Sequence, residues 1–147
     1  MDEEIPQAVA SKLISAPVGQ IWNALTDPHV IKKYFLGTDV TTSWQVGEPI
    51  TFEGEWDGKH YEDKGVVLSY EPEHRLSISH YSPLTGLPDK PENYHSVEYR
   101  VEQEAGGSRV TITQGNNKSK AEVEESAKLW DMVLQNLKEL LEDPGSH

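Results

Sequence analysis

Near the end of the chain Trp130, Leu134, Leu137 and Leu141 recur at helical spacing, widened by Leu129, Val133 and Leu140. This is an apolar stripe along one side of a helix spanning 120–143. Ser119 and Glu122 open it with the spacing of a capping box, in which each side chain satisfies an orphan backbone N–H. Glu122, Glu124 and Glu125 put negative charge in the first turn, where the helix dipole favours it, and Pro144-Gly145 ends the run. At 1.5 Å per residue such a helix is about 36 Å long, as wide as a small domain. A helix that long and apolar on one side must lie across a broad apolar surface, and the rest of the chain has to supply it.

The preceding residues supply strands. Ile50, Phe52, Gly54 and Trp56 alternate with Thr51, Glu53 and Glu55, a period of two. Asp57-Gly58 is a strong hairpin signal, and the returning strand runs from His60 to Tyr70, with Gly65 as a bulge or bend. Glu71-Pro72-Glu73 turns into Arg75–Tyr81, where Leu76, Ile78 and His80 share a face. Val97, Tyr99 and Val101, then Val110 and Ile112 across Gly106-Gly107, continue the alternation. Short turns throughout predict an antiparallel meander with one wet face and one buried face. Ahead of it, residues 8–15 read as a strand. Two short helices follow, one entered through Ser15-Ala16-Pro17, with Pro17 in the first turn, and one through Asp27-Pro28 and stopped by Gly37. The expected class is therefore α+β, a single domain over 8–143, with residues 1–7 and 144–147 as frayed termini.

Composition narrows the function. Lys plus Arg number 13 against 25 Asp plus Glu, a formal net charge of −12, which repels phosphate backbones and anionic lipids, so no nucleic-acid partner is expected. No apolar run approaches a membrane span and no secretion signal opens the chain, so no membrane insertion and a cytoplasmic location are expected. The absence of Cys excludes disulfides, thiol nucleophiles and Cys-ligated metals.

Ser15–Pro28, SAPVGQIWNALTDP, resembles the opening of the START-like (SRPBCC) superfamily, in the branch related to the activator of the heat-shock-protein-ninety ATPase. Ile31–Gly37 is similar to that branch's second helix, with Tyr34 where a Trp is usual. Gly47–Tyr70, Gly107–Thr111 and the Trp130–Leu141 stripe match its central hairpin and ending, so the resemblance covers residues 8–142. It implies a helix-grip (START/Bet v-like) fold, a curved antiparallel sheet wrapped around the long C-terminal helix. It further implies a cavity between helix and sheet for a small hydrophobic molecule, a lipid or an aromatic metabolite. The alternatives it carries are a co-chaperone role in the stress response and a polyketide cyclase or aromatase activity. The co-chaperone holds its partner through a separate N-terminal module, whereas only residues 1–7 precede the first strand here.

The inward positions of strands and helices offer Phe35, Phe52, Leu68, Ile78, His80, Tyr99, Trp130 and Leu134 as cavity candidates, or else as plain core. His80 and Tyr99 say most, because a buried imidazole or phenol needs a partner. No metal is expected: the histidines lack the i, i+4 spacing of a zinc helix, although His80 and His95 flank one loop and can approach across neighbouring strands. No Gly-x-Ser-x-Gly or P-loop is present, and Glu53/Glu55 and Glu124/Glu125 fall on solvated faces, so no cofactor and no catalytic set are expected. Residues 82–93, SPLTGLPDKPEN, form a long stiff loop that is either a lid over the cavity mouth or an exposed connection.

Overall fold

The computed structural model describes residues 5–56, 58–83 and 86–142. The element order is β1 (Ala8–Ile14), α1 (Val18–Thr26), α2 (Pro28–Tyr34), β2 (Asp39–Thr42), β3 (Pro49–Trp56), β4 (Lys59–Glu71), β5 (Arg75–His80), β6 (His95–Glu104), β7 (Gly107–Gly115) and α3 (Lys120–Glu142). The seven strands form one antiparallel sheet in the order β1-β7-β6-β5-β4-β3-β2. The chain thus crosses from one edge to the other through α1 and α2, then returns strand by strand.

The meander follows the alternation. Ile50 and Phe52 of β3, Leu76 and Ile78 of β5, Val97, Tyr99 and Val101 of β6, and Val110 and Ile112 of β7 are buried on one face. Against them pack Trp130, Val133, Leu134 and Leu137 of α3, which lies mainly along β1. Lys12 of β1 stretches beneath the helix to Gln135 Oε1 at 2.8 Å and Asp131 Oδ1 at 3.3 Å. The capping box is half formed: the Glu122 N–H donates to Ser119 Oγ, but Glu122 Oε1 accepts from the N–H of Lys118. The Pro144-Gly145 stop lies outside the described residues, as does Asp57 of the hairpin turn, whose Gly58 has φ +77°.

Three local features depart from or add to the sequence reading. Pro17 is the N-cap of α1 and lies outside its first turn, and no side chain caps that helix; Asp27 caps α2 as expected, accepting from the His29 N–H. The four-residue β2, with Val40 buried, joins the edge beside β3; its one inward side chain leaves too little alternation to read from sequence. The third concerns β4. Val67 pairs with Ile78 and Ser69 with Ser77, so Leu68 is an extra residue, a β-bulge. The bulge switches faces: Tyr61, Asp63, Gly65 and Val67 alternate on one side, while Leu68 is 46% exposed. Gly65 is not the bulge; it lets β5 come close, since a Cβ there would fall 1.7 Å from the Ser79 carbonyl oxygen.

Candidate functional site

Between α3, the end of α2 and the sheet lies a cavity of about 340 Å³, toward the small end of the ~300–1,000 Å³ range of ligand pockets. The sheet supplies Phe52, Tyr61, Asp63, Ile78, His80, Val97, Tyr99 and Gln114; α3 supplies Leu129 and Trp130; residues following α2 supply Phe35, Leu36 and Thr38. Leu36 and Leu129 line it while 48% and 40% exposed, which places the opening between α2 and α3.

Of the residues read from sequence, Phe35, Phe52, Ile78, His80, Tyr99 and Trp130 meet in this cavity. Leu134 does not line it and is fully buried core beneath α3. Leu68 does not line it either: the bulge turns it to the wet face. Tyr61 and Asp63 take the places that Leu68 was expected to share. Their sequence signal is the alternation of Tyr61, Asp63 and Gly65 with charged Glu62 and Lys64.

The apolar wall is ordered by ring contacts. Trp130 meets Phe35 and Tyr99 edge to face, with centroids 5.5 and 5.9 Å apart, and its Nε1–H donates to Gln114 Oε1 at 2.9 Å. The Gln114 amide in turn donates to Asn117 Oδ1 and Ser126 Oγ, both at 2.9 Å, and Asn117 Nδ2 reaches the Pro6 carbonyl. A buried indole N–H therefore has its partner, and that partner is held from both α3 and the segment before it. Behind Phe35, Phe52, Ile78 and Tyr99 only a void of about 20 Å³ remains, bordered by Tyr34 of α2. The Tyr34 hydroxyl donates to the Ala24 carbonyl and locks α2 to α1. Beyond, Tyr70 stacks on Trp44 and meets Trp22 at a tilt.

The polar side is compact. His80 Nε2 lies 3.0 Å from Asp63 Oδ2, and the edge of its ring meets Phe52. Asp63 Oδ1 is buried with no hydrogen-bond partner among the described residues. Thr38 Oγ1 and Tyr61 Oη share a hydrogen bond at 3.0 Å, in space that Gly54 leaves open, since a Cβ there would sit 2.7 Å from that oxygen. Burial pushes the Tyr99 phenol well above its ordinary range, and that of Tyr34 too, so both stay neutral. His95 stands opposite His80 in the β5–β6 register but turns to Glu122 Oε1 at 3.2 Å. Among the described residues no group of three His, Asp or Glu can hold a metal ion.

The described residues of the loop over 82–93 are tethered to the sheet and to the segment before α3. None of its described residues lines the cavity. Tyr81 donates to the Leu87 carbonyl, Tyr94 stacks on Tyr81 and donates to Asp89, and Lys64 pairs with Asp89. Lys118 and Asn116 hold the Glu92 carbonyl. Leu84, which with Leu87 gives the loop its apolar content, lies outside the described residues. No helix among the described residues is long and apolar enough to cross a membrane.

A curved antiparallel sheet closed by two short helices and gripped on a long C-terminal helix, with a hollow between, defines the START-like helix-grip class. Residues 15–142 match the model of the family described as activator of Hsp90 ATPase homolog 1-like protein, and the chain belongs to that family. A protein from Cytophaga hutchinsonii with a known solution structure is 41% identical over 100% of both chains, with a TM-score of 0.84. DynU16, a protein of the dynemicin biosynthetic locus, shares the fold at 20% identity and TM-score 0.78, over 94% of this chain and 48% of its own. The Aha1 dimer of Colwellia psychrerythraea does so at 19% and 0.71, over 93% of this chain and 96% of its own. A search of curated proteins finds no match.

Proposed function

We propose that this protein binds a small, largely hydrophobic molecule in the cavity between α3 and the sheet, without transforming it. The observation that carries the reading is the cavity itself: the aromatic and aliphatic side chains that would otherwise collapse into core stand apart around about 340 Å³. Holding apolar side chains apart around a hollow forgoes packing contacts and leaves apolar surface in water. A hollow of this size, reached through Leu36 and Leu129, is compatible with a guest that repays the cost. Screening lipids and aromatic metabolites against the purified chain by melting temperature tests it. A true guest at 100 times its dissociation constant adds about 2.7 kcal/mol, a rise of several degrees with concurrent quenching of Trp130. If no hydrophobic class moves either signal, the reading fails.

Family membership favours a second reading, contact with a chaperone. Its support is the match itself together with the formal charge of −12, suited to a basic partner patch. Stimulation of the chaperone's ATPase by the purified chain, unaffected by filling the cavity, would favour this second reading.

A further inference from the structure

The polar groups of the cavity are not evenly mixed. Asp63 Oδ2 is hydrogen-bonded to the His80 ring at 3.0 Å, and its Oδ1 is buried with no partner among the described residues. A carboxylate oxygen in that condition bears a desolvation cost that a hydrogen-bond donor would remove. In the neutral tautomer that donates from Nε2 to Asp63, the His80 ring offers Nδ1 as an acceptor. Thr38 and Tyr61 bond each other, and no lysine or arginine lines the cavity. One end of an apolar chamber therefore gathers a carboxylate, an imidazole and two hydroxyls with no lysine or arginine, in a chain of formal charge −12.

Resting on the small-guest reading above, we infer that the guest ends in a hydrogen-bond donor, a hydroxyl or an amine seated on Asp63 and His80, and that hydrophobic carboxylates are rejected. A donor at that end pairs with the Asp63 carboxylate once a turn of its side chain brings Oδ1 to the cavity, or with Nδ1 of a neutral His80, whereas a carboxylate there would bring a second negative charge beside Asp63. The rest of the guest lies along Phe52, Tyr99 and Trp130, where ring faces and edges suit a flat apolar body. Specificity then comes from a buried acceptor that goes unpaired when the wrong guest enters, a stronger filter than shape alone.

Equilibrium dialysis of the full chain at neutral pH against naphthalene, 1-naphthol, 1-naphthylamine and 1-naphthoate separates the terms, because the four probes share one ring system. Naphthol and naphthylamine are expected to bind about 10- to 100-fold tighter than naphthalene, the worth of a hydrogen bond to a charged group, with naphthoate weakest. In Asp63→Asn the donor advantage shrinks and naphthoate gains; in His80→Phe, which keeps the ring volume, the advantage shrinks without that gain. Naphthalene binding as tightly as naphthol leaves the small-guest reading standing and overturns the donor-end inference. So does naphthoate matching naphthol, or a naphthol preference untouched in both variants. Binding of none of the four overturns this inference, while the small-guest reading is decided by the wider screen of lipids and aromatic metabolites.

Discussion

Two glycines show how much one hydrogen atom decides. The missing Cβ of Gly54 would meet the tip of Tyr61, a side chain, while that of Gly65 would meet the Ser79 carbonyl, part of the backbone. A side chain can give way and a paired strand cannot. Gly65→Ala is expected to be the more damaging in urea denaturation, by several kcal/mol, and Gly54→Ala to cost about 1–3 kcal/mol. Combining Gly54→Ala with Tyr61→Leu should recover part of the latter, a coupling that a double-mutant cycle reads. The buried phenols give a pH signature. Their folded-state titration is displaced upward by burial, so below the ordinary tyrosine range they leave stability unchanged with pH. Above it the unfolded chain ionises while the folded chain does not, and stability falls. Absorbance titration should show a lagging tyrosinate fraction that is lost in Tyr34→Phe and Tyr99→Phe.

At the level of elements, the bulge in β4 has the clearest consequence. Leu68→Thr should change stability by no more than about 0.5 kcal/mol and leave guest affinity untouched, whereas Leu134→Ala should cost about 2–5 kcal/mol. Equal losses in chemical denaturation would mean that Leu68 is inside after all. The same bulge explains what could be read beforehand. Strands with unbroken alternation, such as Ile50–Glu55 and Val97–Val101, declare their faces, and the stripe of α3 declares its burial. Counting by twos back from Tyr70, which packs on Trp22, makes Leu68 inward and Tyr61 and Asp63 outward. Only the charged Glu62 and Lys64 argue the reverse, and an inserted residue reconciles both. The loop over 82–93 was legible as stiff but not as tethered, because Lys64, Asn116 and Lys118, which hold it, lie well away in sequence.

For the whole molecule, the trade between hollow and core governs the outcome. Val97 sits on the cavity wall, 2% exposed, beside Ile78 across the β5–β6 ladder. Val97→Phe should fill part of the space, hold or raise the melting temperature, and abolish the guest-induced rise. A large loss of stability instead would show that the wall cannot yield and that the space is smaller than its volume suggests. The amide chain from Trp130 through Gln114 and Asn117 ends on the Pro6 carbonyl, ahead of the first strand. A guest that displaces the indole is expected to disturb that leading stretch of polypeptide, and the chemical shift of an isotope label at Gln7 would report the chamber filling.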